Sequence, residues 1–184
     1  MFEIRIHGRG GQGAKSAAQF IADAAMEQGK FIQAFPEYGP ERSGAPVASY
    51  VRISDEKILT RQPVANPDAV LVLDPTLTGT VDVAAGLGEK GILVVNTAKT
   101  AAEIKKQLGF PGKLYAVDAS KIALKNIGKD IPNTAMIGAL IKLTGIIGIK
   151  DLAENIRGKF LQKLGPEKTE GNVRAVELGY AEVK

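Results

Sequence analysis

Gly8-Arg9-Gly10-Gly11-Gln12-Gly13 places four glycines in six positions near the start of the chain. The chemistry such a run can do is anion binding. Glycine lets a chain turn tightly and lets bare amide N–H groups approach an oxyanion, and a helix N-terminus following at once adds partial positive charge. Arg9, inside the run, is either a surface charge or a fork-shaped donor to a phosphate. Gln12 can hydrogen-bond a ligand or cap the helix. A second polar cluster, Glu41-Arg42-Ser43-Gly44, lies in a stretch stiffened by Pro36, Pro40 and Pro46. Stiff loops at a sheet edge often carry function, although an internal Glu–Arg pair holding the loop explains the cluster nearly as well.

The elements around the glycines suit an anion site. Residues 2–7 alternate as a strand, and Ala17, Phe20, Ile21, Ala24 and Ala25 recur at helical spacing, so 14–28 is predicted as an amphipathic helix closed by Gly29. Phe31 to Phe35 is predicted as a short strand. Val47 to Ile53 is another, and Lys57 to Arg61 is expected to pair with it as a hairpin around Ser54-Asp55-Glu56. Three continuous apolar runs follow: Ala69 to Leu73 ending at Asp74, Ile92 to Val95 ending at Asn96, and Leu114 to Val117 ending at Asp118. Such runs mark parallel strands covered on both faces, with Thr100–Leu108 and Ser120–Ile127 as the crossover helices. Asp74 and Asp118 stand where open α/β sheets bind ligands, but N-capping is the commoner role and the preferred one.

After residue 130 the strand pattern stops. Residues 133–144 form a helix that is apolar on nearly every side, buried either in the core or against a partner. Asn133 or Thr134 is expected to cap it. Two more helices follow, on Leu152, Ile156, Phe160 and Leu164 and on Val173, Val176, Tyr180 and Val183. The expected fold is one α/β domain over residues 1–184. It is a three-layer α/β/α sandwich with a mostly parallel, partly mixed sheet, a glycine-rich strand–loop–helix at the N-terminus and a helical C-terminal cover.

Composition narrows the function. With no cysteine and one histidine, the chain cannot ligate an iron–sulfur cluster or a thiolate zinc, and a His-based metal site or a Ser-His-Asp triad is disfavoured. His7 has no acid or nucleophile beside it in sequence, so a structural role is expected. The net charge of +4 is modest and its lysines are interspersed with acids, which points away from nucleic acid. No apolar run reaches membrane-span length and no leader peptide is visible, so a cytoplasmic location is expected. Abundant Lys and Glu without Cys or Trp leans towards a thermophile.

Gly8, Gly10 and Gly13 also satisfy the dinucleotide pattern G-x-G-x-x-G. That reading wants an acid at the end of strand 2. Glu37 is the nearest and lies beside Pro36, and the extra Gly11 departs from the usual spacing. A stand-alone nicotinamide-dependent reductase is therefore an alternative rather than the leading reading.

Taken in order, the glycine run, Tyr38-Gly39-Pro40-Glu41-Arg42-Ser43-Gly44-Ala45-Pro46 and Pro132-Asn133-Thr134 before an apolar helix resemble the gamma subunit of 2-oxoacid:ferredoxin oxidoreductases, above all the pyruvate enzymes. The resemblance spans essentially the whole chain. It implies a complex that turns a 2-oxoacid, coenzyme A and oxidised ferredoxin into an acyl-CoA, CO2 and reduced ferredoxin. Thiamine diphosphate and iron–sulfur clusters would be carried by alpha, beta and delta partner subunits and not by this chain, which also lacks a Gly-Asp-Gly thiamine-diphosphate motif. By resemblance, Gly8 to Gly13 would face coenzyme A phosphates, and Glu41 to Gly44 would lie near the ligand or against the thiamine-bearing subunits. Ser43 stands where many relatives carry glycine or another small residue. A purely structural assembly subunit is the second alternative.

Overall fold

The computed structural model describes residues 1–37 and 44–184; Glu41, Arg42 and Ser43 of the second polar cluster lie outside the described residues. A six-stranded sheet has the order β2-β3-β1-β4-β5-β6. Its strands are β1 (Phe2–Arg9), β2 (Phe31–Glu37), β3 (Pro46–Ser54), β4 (Ala69–Val72), β5 (Ile92–Asn96) and β6 (Lys113–Val117). β1, β4, β5 and β6 run parallel, while β3 is antiparallel to both β1 and β2. The mixed sheet is as expected; its cause is different. The hairpin between β3 and residues 57–61 does not form, because β3 already has a neighbour on each side. The segment after β3 is held by side chains instead: Gln33 Nε2 donates to the Thr60 carbonyl (3.0 Å) and the buried Arg52 to the Gln62 carbonyl (2.6 Å).

One face of the sheet is packed by α1 (Ala14–Glu27), α3 (Ala119–Ile127), α4 (Asn133–Thr144), α5 (Ile149–Leu164) and α6 (Pro166–Glu182), around Ile4, Ile6, Val51 and Leu71. The other face is covered more thinly. α2 (Ala101–Leu108), a 3-10 turn (Pro75–Gly79) and the stretch around Val83 and Leu87 pack on Val70, Val72, Leu93 and Val95. Of the two expected crossover helices, α2 does join β5 to β6. α3 crosses to no strand, since β6 is the last, and instead leads into the helical cover. Among the described residues no helix is long and apolar enough to cross a membrane.

α4 has every residue from Asn133 to Ile141 buried. Its cover is this chain's own α6, so the all-round apolar pattern reflects a core helix and not a docking face. The two helices meet backbone to backbone. A Cβ on Gly138 would lie 2.0 Å from the Val176 carbonyl oxygen, and one on Gly179 would lie 1.9 Å from that of Ala135. Pro132, rather than Asn133 or Thr134, takes the N-cap position of α4, and no side chain caps it. Gly138→Ala and Gly179→Ala are each expected to destabilise the fold by about 1–3 kcal/mol through overpacking, read as a fall in thermal midpoint. Gly158→Ala, on an exposed turn of α5 with open space at its Cβ, is expected to raise the midpoint through roughly 0.5–1 kcal/mol of helix propensity.

Candidate anion site at the N-terminus of α1

β1 ends at Arg9 and α1 begins at Ala14, so the intervening glycines make the whole turn. Gly11 (φ 99°) and Gly13 (φ 83°) adopt left-handed conformations that side chains resist. Gly13 has a second constraint: a Cβ there would lie 2.5 Å from Asn133 Nδ2. Gly8 packs closely on Leu73, whose Cδ1 would lie 3.3 Å from an added Cβ. The loop is braced from within. The Gly10 amide donates to the Ala45 carbonyl (3.1 Å) and the Gln12 amide to the Arg9 carbonyl (3.1 Å). The Arg9 amide donates to Gln12 Oε1 (2.7 Å).

Asp74, at the C-terminal end of β4, ties these groups together. Its Oδ2 accepts from Arg9 Nε (3.1 Å) and Gln12 Nε2 (2.9 Å), and its Oδ1 from the amide (2.9 Å) and hydroxyl (2.6 Å) of Thr76. Burial favours the neutral acid, but the bonds from Thr76 and Gln12 and the charge of Arg9 outweigh it, so the carboxyl is held below its ordinary range. The expected cap at Asp74 is present, on the 3-10 turn, and Asp118 likewise caps α3. Arg9 spends its remaining nitrogens on the Gly44 carbonyl (3.1 Å) and Thr76 Oγ1 (3.0 Å). Gln12 serves as an internal staple and not as a helix cap.

This bracing leaves a definite set of donors. Among the described residues, the amides of Gly11 and Gly13 have no hydrogen-bond partner. α1 has no side-chain cap and no acid in its first turn. The end of the helix therefore keeps its partial positive charge. It opens on a cavity of about 280 Å³ lined by Gly11, Gly13, Ser16, Lys129, Lys168 and the apolar side chains of Ile127, Ile131, Phe160 and Leu164, with Asn133 and Asn172 below. Among the described residues no carboxylate lines it. Four other surface cavities each include at least two carboxylates.

Gly8 to Gly13 and Gly44 are thus brought together, Gly44 through Arg9. Ser16, Lys129, Lys168 and Asn172 escaped the sequence reading. No local pattern marks them, because loop 128–132, α5 and α6 meet α1 only in the folded chain.

A model of the pyruvate ferredoxin/flavodoxin oxidoreductase family matches residues 3–182. The chain belongs to that family. It is 51% identical over 183 residues to pyruvate synthase subunit PorC of Thermotoga maritima, covering 100% of this chain and 95% of the relative. It is 48% identical over 181 residues to the common gamma subunit of the pyruvate/ketoisovalerate oxidoreductases of Thermococcus kodakarensis, covering 98% and 96%. The crystal structure of the Thermotoga maritima pyruvate oxidoreductase subunit aligns over 100% of this chain and 97% of that one, with a TM-score of 0.89 and 48% identity. Within the family the chain is of the gamma-subunit type, one component of a multi-subunit oxidoreductase.

His7 is buried on β1, and its Nε2 has no partner among the described residues. Burial, helped by the charge of Arg5, lowers its pKa to about 4. The ring is neutral at pH 7. Because the folded pKa lies below the unfolded value of 6.5, stability is expected to fall as pH drops from 6.5 towards 4. The slope from this one group approaches about 1.4 kcal/mol per pH unit. His7→Phe should flatten that limb in denaturant titrations run across the window. Asp74→Asn should cost about 1–3 kcal/mol, because the charge facing Arg9 is lost and the amide must turn its NH2 either towards Arg9 and Gln12 or towards the Thr76 amide, and should raise amide exchange at residues 9–13.

Proposed function

We propose that the chain binds the phosphates of coenzyme A and supplies assembly contacts in a 2-oxoacid:ferredoxin oxidoreductase that uses pyruvate. Alpha and beta subunits would carry thiamine diphosphate, and a ferredoxin-like delta subunit would carry the iron–sulfur clusters and pass electrons to ferredoxin. The names of the relatives support the enzyme class and the oxoacid. The observation that carries the binding role is the cavity at the N-terminus of α1, lined among the described residues by lysines and by no carboxylate. Its donors fit a phosphate: two amides on left-handed glycines, the first turn of a helix, and two lysines. Coenzyme A, when bound, supplies the thiol that accepts the acyl group. This chain's residues would grip and orient it. Glu41, Arg42, Ser43 and Gly44 would sit beside the ligand or against the thiamine-bearing subunits, and Arg9 would hold that loop in place through Gly44.

The strand order weakens the nicotinamide alternative. β3 is inserted between β1 and β2, so Glu37, at the end of β2, stands two strands from the glycine loop, roughly 10 Å away in the sheet. Its carboxylate also hydrogen-bonds the Tyr50 hydroxyl. The scaffold-only alternative loses its apolar docking helix, since α4 is covered from within the chain.

Ser16→Glu tests the binding role without disturbing the fold. An acid in the first turn suits the helix dipole, but it sets a negative charge at the cavity wall. In the assembled enzyme, coenzyme A affinity measured by calorimetry is expected to fall on the order of ten- to a hundredfold. Unchanged affinity would leave the chain a scaffold.

A further inference from the structure

We infer that the outer edge of β2 pairs with the same edge of a second copy of this chain, antiparallel, about a two-fold axis at Gln33. The pairing joins two six-stranded sheets into one and is independent of the anion site.

An exposed sheet edge offers unpaired N–H and C=O groups to any other strand, so edges are usually covered, charged or bulged. One edge here is covered. The Ala116 amide on β6 donates to the Lys184 carbonyl (2.7 Å), and its carbonyl accepts from the Lys184 amide (3.1 Å). The other edge, β2, carries no charge from Phe31 to Pro36 and keeps an unbroken register with β3 over all of its residues. Successive residues of an antiparallel strand bond to alternate sides. The Gly10 amide donates to the Ala45 carbonyl, and Arg9 stands opposite Pro46. The odd-numbered residues of β3 therefore bond β1, and the even-numbered ones bond β2. Tyr50 faces Phe35, so the odd-numbered residues of β2 turn inward, and Ile32, Ala34 and Pro36 turn outward. Pro36, with no N–H, belongs on an open side. Among the described residues no further backbone group meets Ile32 or Ala34.

Two copies in one continuous sheet must pair residues that lie on the same face. With the axis at Gln33, Ile32 faces Ala34 of the second copy, and each such pair exchanges both backbone bonds. Phe31 then lies opposite the second copy's Phe35, an aromatic cross-strand pair made twice. That contact accounts for Phe31, which is 49% exposed while its neighbours Ile32 and Ala34 pack on the core beneath α1. Moving the axis to Ala34 sets Phe31 against the Glu37 carboxylate and turns the Ile32 carbonyl towards a proline ring. Moving it to Ile32 calls on the Lys30 amide, which already donates to the Ala25 carbonyl (3.2 Å). One register therefore suits this strand. The Gln33 side chain also holds the Thr60 carbonyl (3.0 Å). Leu59, the residue before it and 81% exposed, extends the apolar surface beside the axis.

The chain has no cysteine, so a single introduced one reports on its own neighbour. The test uses the full chain, in sedimentation velocity over a range of concentrations and under mild oxidation. A dimer is expected. Across the axis the two Gln33 side chains form a non-hydrogen-bonded pair within reach of a disulfide, so Gln33→Cys should cross-link. Phe31→Cys is the control, because its counterpart lies roughly 14 Å away along the strands. Phe31→Lys should weaken the dimer about tenfold or more by removing both aromatic pairs and charging the edge. A chain that stays monomeric, a dimer that Phe31→Lys leaves intact, or Gln33→Cys cross-linking no better than Phe31→Cys overturns the pairing. Amide exchange at Ile32 and Ala34 identifies the occupant. Slow exchange in the dimer supports a second copy; slow exchange only in the assembled enzyme assigns the edge to a strand of another subunit and overturns the self-pairing.

Discussion

The Asp74 carboxylate is the constraint on which the candidate site depends. It draws together Arg9 and Gln12 from the glycine loop and Thr76 from the turn after β4. Arg9 in turn holds Gly44, so one anion fixes the relative positions of the segments after β1, β2 and β4. A glycine-rich loop without such bracing would lose much of its value as a binding site. Glycines have large conformational freedom in the unbound state, and a ligand would have to order them at its own expense. Here the ordering is done by hydrogen bonds within the protein. The charges also balance locally: Arg9 neutralises Asp74, which would lessen the carboxylate's repulsion of an anion held at the candidate site.

The hydrogen bonds divide the loop into two functional halves. The amides of Arg9, Gly10 and Gln12 turn inward to Gln12 Oε1, the Ala45 carbonyl and the Arg9 carbonyl. Those of Gly11 and Gly13 are left over, and these are the two residues with left-handed backbones. Gln12, between them, turns its own amide back to the Arg9 carbonyl, so the two unpartnered N–H groups come from alternate residues. Arg9, the residue that by type best matches a phosphate, works here as a tether, and the cations that line the cavity are lysines from distant elements.

What sequence reveals and what it hides divide along the range of the interactions. β1, α1 and the glycine turn were legible because apolar period and glycine stops are local signals. So were the parallel strands ending at Asp74, Asn96 and Asp118, and both aspartates cap the turns that follow. α4 was legible as a buried helix, though not what buries it: Gly138 and Gly179 allow the α4–α6 backbone contact, and a glycine within a helix does not announce its neighbour. The failed hairpin at 57–61 is a pairing error. Val47–Ile53 alternates as a strand in any partnership, and choosing β1 and β2 over the adjacent segment is a long-range decision. Lys129 and Lys168 were invisible as a pair, since each follows a helix boundary with nothing nearby to pair it with the other.

The division between binding and chemistry follows from the same inventory. A redox centre needs thiolates or a cofactor cradle, and this sequence has no cysteine. Its single imidazole is neutral at pH 7 and buried, so it offers no accessible proton carrier. A chain so equipped can still contribute to catalysis through binding energy. Gripping a remote part of a substrate, far from the reacting atom, supplies the free energy that positions the reacting end. Phosphates suit that purpose, because they carry fixed charge, take no part in thiol chemistry and can be held by backbone amides that do not titrate. A rigid, cationic pocket on one subunit and reactive groups on others is then a workable arrangement, provided the pocket is preorganised. That returns the requirement to the buried carboxylate behind the loop.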